Sequence, residues 1–124
     1  MAEWYKLVAN TPVPISDKDL NEIQKMFESE ERRIAQTIVQ EEYEVSTVFL
    51  GLAHGEWNGK PVLFETMVFD GNGHVVDAYS DRYTSHADAL AGHIRTVSRV
   101  TVDLGTAINA VVTNLRKIEQ SSES

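Results

Sequence analysis

The stretch that decides the fold is EVSTVFLGLAH at residues 44–54, followed by the turn GEWNGK at 55–60 and by PVLFETMVF at 61–69. Both arms are rich in β-branched and aromatic residues, and residues that favour turns bound them. This composition is typical of two strands joined as a β-hairpin. We therefore expect the other segments either to extend this hairpin into a sheet or to cover it.

The size and composition of the chain predict one globular domain. It has 124 residues, of which 42% are hydrophobic and 24% are charged, and these values suit a single core. No cysteine is present, which excludes thiolate metal sites and thiol nucleophiles. No segment has the roughly 18 apolar residues of a membrane span, and the first residues do not resemble a signal peptide. We expect a cytoplasmic protein that does not bind membranes.

The formal net charge of the chain is −8, and the acidic residues are spread along it. A long contact with nucleic acid is therefore not expected, because such proteins need a basic face. The acids either keep the protein soluble or form a surface that mimics nucleic acid toward a basic partner protein. Their even spread favours the first interpretation.

Before the hairpin, the sequence predicts an extended segment, a helix and one more strand. Residues 3–8 favour an edge strand or an extended arm, which two prolines end. Apolar residues at helical spacing predict an amphipathic helix over about 17–29, with Ser16 or Asp17 as its N-cap. Residues 32–39 either prolong this helix or form a strand, and their alternation favours the strand.

After the hairpin, the sequence predicts a fourth strand and two helices. Residues 70–73 form a strong turn signal because Asn and Gly tolerate positive φ, and residues 74–79 then return as a strand. Thr84 or Ser85 is expected to cap the next helix. The apolar pattern falters at residues 101–105, and a last helix is predicted to follow.

Together these segments predict an α+β fold. We expect one domain over residues 1–124 with an N-terminal arm (1–15), an N-terminal helix, an antiparallel meander of about four strands, two C-terminal helices and a frayed tail (119–124). If the turns close symmetrically, one row on one face of the sheet holds Arg33, Leu50, Glu65 and Ala78. A slip of one residue would reverse the faces. The apolar stripe of the last helix also predicts a homo-oligomer.

Glu65 is notable because it lies in the apolar run 63–67, where an unpaired carboxylate would be costly. The candidate partners across the meander are Arg32, Arg33 and Arg82. An ion pair that holds the sheet to a neighbouring element is one interpretation. A polar anchor in a ligand cleft and a general acid or base are the others. A lone carboxylate without a nucleophile or a second acid indicates catalysis only weakly, and we predict neither enzymatic activity nor catalytic residues.

Residues 81–85, with the sequence DRYTS, lie where a strand gives way to a helix. Arg82 offers bidentate donors, Tyr83 offers a stacking face and a hydroxyl group, and a helix start offers N–H groups. This combination suits an anion or a nucleotide-like ligand, although an ordinary capping loop would use the same residues. Trp57, in the turn of the central hairpin, is a second stacking surface.

The histidines give little indication of a metal site. His54 and His93 could join Glu65 around a metal ion, or they could hydrogen-bond locally or face solvent. His86 and His93 are seven residues apart and therefore two helical turns apart, too distant for one metal. The glycines at 71–73 precede a strand and are better explained by a hairpin turn than by a phosphate-binding loop. We predict no metal and no cofactor.

Five segments of the chain resemble a widespread family of small phage and prophage proteins. They are RRIAQT at 32–37, VSTVFLGLAH at 45–54, LFETMVF at 63–69, DRYTS at 81–85 and ALAGH at 89–93. The family pattern runs in the same order, roughly RRVAxT, VSTVFLGLDH, LFETMVF, RYST and AGH. The chain departs from it at Ala53, where the family has Asp. Any role of that Asp beside His54 is therefore in doubt here.

The predicted architecture and the phage context are also similar to the Thoeris anti-defence sponge proteins, which bind nucleotide-derived immune signals without cleaving them. This resemblance implies an oligomeric sequestering protein in the cytoplasm of an infected bacterial cell, with pockets near subunit contacts. It further implies that Arg82, Tyr83, and Arg95 or Arg116 contact phosphate and base. The full set of candidate ligand-binding residues is Arg82, Tyr83, Glu65, Arg33, His54, Arg95 and Arg116. The alternatives are an acidic protein-binding inhibitor of a host factor and a structural phage accessory protein.

Overall fold

The two arms of the central hairpin pair as antiparallel neighbours in the computed structural model, which describes residues 3–122 and the side chains of residues 3–105. The α+β class with antiparallel sheets is therefore confirmed. In chain order the elements are β1 (Trp4–Val8), β2 (Thr11–Ile15), α1 (Leu20–Glu28), β3 (Arg33–Val39), β4 (Tyr43–Phe49), β5 (Glu56–Trp57), β6 (Lys60–Pro61), β7 (Phe64–Phe69), β8 (Asp81–Tyr83) and α2 (His86–Ser122).

The main sheet has four strands in the order β3-β4-β7-β8, and two small hairpins lie beside it. The strand predicted at 32–39 is confirmed as β3. The N-terminal arm is a hairpin of β1 and β2, and it docks on the chain just after β4 because Tyr5 N–H donates to the Gly51 carbonyl at 2.8 Å. The third sheet is the pair β5 and β6.

The fourth strand lies later in the chain than predicted. Residues 74–79 make only one isolated bridge, between Val75 and Phe69, and a 3₁₀ turn follows at Asp77–Tyr79. This turn carries Tyr79 to α2, where its hydroxyl group donates to Asp103 and its ring packs against Arg99. The chain returns to the sheet only at β8. The contact with α2 therefore explains why the predicted strand is interrupted.

The prediction of two C-terminal helices is wrong, because one helix runs from His86 to Ser122. The apolar pattern of the sequence is interrupted at 101–105. In the helix, however, the Thr101 hydroxyl group donates a hydrogen bond to the Val97 carbonyl at 2.7 Å. Gly105 lowers helix propensity by only about 1 kcal/mol. That cost is small compared with the stability that a helix gains by packing on a sheet.

Helix α1 is shorter than the predicted 17–29 and is capped by a different residue. Asp19 accepts a hydrogen bond from the Glu22 N–H at 3.2 Å, so it serves as the N-cap in place of Ser16 or Asp17. Ile23 and Met26 are the buried residues of the helix. It packs on β1 and closes one end of the core.

Helix α2 covers one face of the main sheet. Two apolar clusters lie beneath it, one built around Phe49 and Phe64 and the other around Val45 and Val68. These four residues are at most 1% exposed. Residues of the other face are half-buried or exposed, and Ile38 on β3 is 58% exposed. The sheet is therefore covered on one side only within the described part of the chain.

A row of polar residues lies between the two apolar clusters. The buried His93 of α2 has its Nε2 atom 2.8 Å from the Thr37 hydroxyl group and its Nδ1 atom 2.8 Å from that of Thr47. Thr47 also contacts the Thr66 hydroxyl group at 2.6 Å, and Tyr83 donates to Thr66 at 3.1 Å. One neutral imidazole, with one donor and one acceptor, satisfies both threonines. The row fixes α2 over the centre of the sheet.

The predicted row of the sheet is partly correct. Cross-strand pairs place Arg33, Val48, Glu65 and Arg82 side by side on the uncovered face. The prediction has Leu50 and Ala78 in place of Val48 and Arg82, and both are wrong. A bulge between Arg33 and Ala35 shifts the first pair, and the late fourth strand brings in Arg82.

No helix of the described residues is long and apolar enough to span a membrane.

Candidate functional site

A cleft of about 530 Å³ opens where the β5–β6 hairpin, β8 and the start of α2 meet. Its volume is in the range of small-molecule sites. The lining combines two arginines, one histidine, three carboxylates and two aromatic rings. The lining residues are His54, Glu56, Trp57, Val62, Asp81, Arg82, Tyr83, Thr84, Asp88 and Arg95.

The β5–β6 hairpin brings an indole ring to the rim of the cleft. Asn58 and Gly59 both have positive φ, 52° and 75°, which is the backbone of a two-residue type I′ turn. This turn pairs Trp57 with Lys60. Trp57 is 64% exposed, so its ring offers an aromatic face to a ligand.

Arg82 connects the cleft to the uncovered face of the sheet. It pairs with Glu65 across β7 and β8, and its Nε atom lies 2.8 Å from Glu65 Oε2. The interpretation of Glu65 as an ion-pair partner is therefore confirmed, with Arg82 as the partner, but the pair joins two strands of the same sheet and not the sheet to a neighbouring element. Arg32, another candidate, donates instead to the Phe49 carbonyl at 3.2 Å. Within the described part of the chain, the two terminal nitrogens of Arg82 make no hydrogen bond, so they can donate to an anion.

Tyr83 borders the cleft, but its side chain belongs mainly to the core. It follows Arg82 in β8 and therefore points to the opposite face of the sheet. It is 7% exposed, and its hydroxyl group donates to Thr66. Trp57 therefore offers a far larger exposed aromatic surface to the cleft than Tyr83 does.

The start of α2 supplies the third wall of the cleft. Ser85 caps the helix, since its hydroxyl oxygen accepts from the Asp88 N–H at 3.1 Å, as the sequence predicts. Asp88 and Arg95 are seven residues apart and lie on one side of the helix, two turns from each other. Both side chains are exposed. Arg95 makes no hydrogen bond or ion pair within the described residues.

The structure brings four of the seven predicted ligand-binding residues together. His54, Arg82, Tyr83 and Arg95 line the cleft, and Glu65 reaches it through its ion pair with Arg82. The other two are not among the described lining residues of this cleft. Arg33 borders a separate cleft of about 290 Å³ near the β1–β2 turn, and the Arg116 side chain lies outside the described residues.

His54, Glu65 and His93 do not converge on a metal site. His93 is buried beneath α2, Glu65 lies on the uncovered face of the sheet, and His54 is exposed at the cleft. The described residues contain no group of three or more histidine and carboxylate side chains placed to hold a metal ion. Ala53, which stands where the resembled family has Asp, packs against the core and donates its N–H to the Glu3 carbonyl at 2.8 Å.

Three acidic residues of the cleft were not identified from the sequence. Glu56, Asp81 and Asp88 face the same space as Arg82 and Arg95. Asp81 is the first residue of the DRYTS segment and Asp88 follows its last residue by three positions, so the signal for both lies in and beside that segment. Because both signs of charge are present, the cleft suits a ligand that combines an anionic group with hydrogen-bond donors.

Comparisons of the sequence with protein-family models and with curated proteins, and of the structure with solved structures, gave no match.

Proposed function

We propose that this chain is a non-enzymatic protein that sequesters a small phosphorylated, nucleotide-like molecule in the cleft. One observation carries the proposal. Arg82 and Arg95, from a strand and from a helix, converge with the exposed ring of Trp57 on a cleft of about 530 Å³. Phosphate and an aromatic base are the groups that arginine and tryptophan bind best.

The ligand has a defined orientation in this proposal. Its phosphate accepts hydrogen bonds from the terminal nitrogens of Arg82 and from Arg95, while its base stacks on Trp57. The ribose hydroxyl groups and the exocyclic amines of the base donate to Asp81 and Asp88. Glu65 accepts a hydrogen bond from Arg82 Nε and so helps to fix the orientation of the guanidinium.

The hydrogen bonds of the cleft support binding without turnover. A hydrolytic site needs a nucleophile or a water that a base holds within hydrogen-bond distance. The described residues of the cleft form no such nucleophile–base pair, since Thr84 and His54 make no side-chain hydrogen bond there. The resemblance to phage proteins suggests a biological role for this binding. We propose that it removes a nucleotide-derived signal and so counters host defence in the cytoplasm of the infected cell.

The experiment is calorimetric titration of the protein with ADP-ribose, a probe that carries phosphate, ribose and an aromatic base. Arg82→Ala and Arg95→Ala should each weaken binding by about 10- to 150-fold, because each removes charged hydrogen bonds. Arg33→Ala is the matched control, since Arg33 is exposed and borders a different cleft. Equal affinity in all four proteins would contradict the proposal.

Recovery of the probe separates binding from catalysis. After incubation with the protein and heat denaturation, ADP-ribose should return intact. A cleaved product would make the protein an enzyme.

A second function is favoured by two other observations. The formal charge is −8 and one face of the main sheet is uncovered within the described residues. Both suit an acidic inhibitor that docks on a basic host protein. Failure to bind ADP-ribose, together with co-purification of one stoichiometric host protein, would favour this function over sequestration.

A further inference from the structure

Helix α2 carries two different sets of residues, and only one of them is fully buried against the sheet. Ala89, His93, Thr96 and Val100 are buried beneath the helix, at 5% exposure or less. A second set repeats at alternating spacings of four and three residues along the same helix. It consists of Leu90, Ile94, Val97, Thr101, Leu104, Ile108, Val111, Leu115 and Ile118.

This second set, which we call the heptad stripe, spans four heptads with eight apolar residues in nine positions. A regular α-helix has 3.6 residues per turn, so a strict 3.5-residue repeat drifts by about 20° per heptad around a straight helix. Such a repeat stays in contact only with another helix that supercoils around it. The sheet-facing set has the same spacing only from Ala89 to Val100, whereas the heptad stripe continues to Ile118.

The first part of the heptad stripe is exposed on the surface of the domain. Ile94 is 66% exposed and Leu90 is 38% exposed, and Thr101 is also exposed. Val97 and Leu104 are half-buried against the cluster of Val45 and Val68. The stripe therefore begins on the flank of the helix beside the sheet, where a second helix can approach.

The helix is also much longer than the strands of the sheet. Its 37 residues correspond to a length of about 55 Å, while a seven-residue strand measures only about 23 Å. A single helix of this kind has little stability where no other element packs on it. The heptad stripe continues along this length, so its partner must run alongside the helix for all four heptads.

We propose that a second copy of this chain covers the heptad stripe, and that the two α2 helices form a parallel, two-stranded coiled coil over residues 90–118. The a positions are Ile94, Thr101, Ile108 and Leu115, three of which are β-branched, and the d positions are Leu90, Val97, Leu104, Val111 and Ile118, two of which are leucine. β-branched residues at a with leucine at d favour the parallel two-stranded form. Two identical helices present the same repeat to each other, which meets the need for a matching partner over the full length.

The ligand cleft remains open in this dimer. Asp88 and Arg95 lie on the side of α2 that is nearly opposite the heptad stripe, as the 100° rotation per residue requires. Each subunit therefore keeps its own complete cleft, in contrast to the expectation that pockets form near subunit contacts. The dimer does not depend on the proposed ligand.

The mass of the protein in solution tests the dimer. Light scattering should give twice 13.9 kDa for the unaltered chain at micromolar concentration, and Ile94→Glu should shift the mass to that of one chain. Val102→Glu is the matched control, because Val102 is 64% exposed against 66% for Ile94 but lies outside the stripe. It should leave the dimer intact. A monomeric unaltered chain, or a dimer that survives Ile94→Glu, would overturn the proposal.

The absence of cysteine allows a direct test of the parallel register. In a parallel coiled coil, Ile108→Cys places two thiols side by side, so mild oxidation should give a disulfide-linked dimer. Thr113→Cys lies on the outside of the repeat and should remain a monomer on a denaturing gel. The opposite pattern, or an Ile108→Cys variant that does not cross-link, would overturn the parallel arrangement.

Discussion

Gly92 of α2 lies directly against the ring of Tyr83 in β8. A Cβ atom at position 92 would overlap the hydroxyl oxygen and two ring carbons of Tyr83. Replacing a glycine inside a helix by alanine normally stabilises a protein by about 1 kcal/mol. Here the overlap outweighs that gain, because the Tyr83 ring is buried and held by Thr66. We expect Gly92→Ala to lower the free energy of unfolding by about 1–3 kcal/mol.

Urea unfolding of Gly92→Ala beside Gly105→Ala checks this prediction. Gly105 is in the same helix, but nothing lies within 4 Å of a Cβ atom placed there. Gly105→Ala should therefore raise the free energy of unfolding by about 0.5–1 kcal/mol. A stabilised Gly92→Ala variant would mean that Tyr83 and α2 are not in close contact.

The burial of His93 predicts a pH dependence of stability. Burial lowers the pKa of its imidazole below 6.5, so between the lowered pKa and pH 6.5 the unfolded chain binds a proton that the folded chain does not. The contribution of the neutral His93 to stability should therefore be fully present above about pH 7. It should fall as the pH drops below 6.5, by at most about 1.4 kcal/mol per pH unit. Below the pKa of His93 in the folded state, this contribution should cause no further loss of stability.

Comparison with His93→Gln isolates this contribution. Urea unfolding at several pH values between 5 and 8 should give a shallower dependence in the variant, whatever its absolute stability. His54→Gln is the control, since His54 is exposed, and it should keep the slope of the unaltered chain. An identical slope in His93→Gln would show that His93 is not buried in its neutral form.

Trp57 should report ligand binding by its fluorescence. The chain has two tryptophans, and Trp4 packs edge-on against Phe27, so Trp4→Phe leaves the indole at the cleft as the only strong emitter. Stacking of a base on Trp57 should quench this emission when ADP-ribose is added. Trp57→Ala should weaken binding by about 1–3 kcal/mol. Quenching that is equally strong in a Trp57→Phe variant would place the ligand near Trp4 instead.

Glu65→Gln tests whether the ion pair with Arg82 affects ligand binding or the stability of the fold. Arg82 is half-exposed, and such pairs contribute about 0–1 kcal/mol, so the free energy of unfolding should change by no more than that. Glutamine keeps an acceptor for Nε but removes a negative charge beside the arginine, and the affinity for ADP-ribose should rise severalfold. Glu44→Gln, on the same face but bonded to Gln36, should leave the affinity unchanged. An unchanged affinity in Glu65→Gln would contradict the assigned role of Arg82 in binding the ligand.

Part of this site could be predicted from the sequence, because local composition determines it. The hairpin at 44–69 and the DRYTS segment carry strong strand, turn and cap signals, and they place Arg82 and Trp57 at the same end of the sheet. Glu65 needed a cation because its surroundings are apolar, and Arg82 provides it. The bulge in β3 and the late start of β8 change which residues pair across the strands, so the partners of each row could not be derived.

The errors share one cause, which is that tertiary contacts overrode local signals. The break at 101–105 is a real weakness in helix propensity, but the packing of Val97, Val100 and Leu104 on the sheet keeps the helix continuous. The segment at 74–79 has strand composition, but the contact of Tyr79 with Asp103 draws it out of the sheet. Local propensity differs by only about 1 kcal/mol between such alternatives, which packing easily exceeds.

The central claim is that the cleft binds a phosphorylated, nucleotide-like molecule. Titration of isotopically labelled protein with ADP-ribose, followed by amide chemical shifts in NMR spectra, tests it most directly. We predict saturable shifts at residues 54–57, 81–84, 88 and 95, with none at Ala9, Asn10 or Arg33 beside the second cleft. Shifts confined to the second cleft or to the uncovered face of the sheet, or none at millimolar ADP-ribose, would contradict the account.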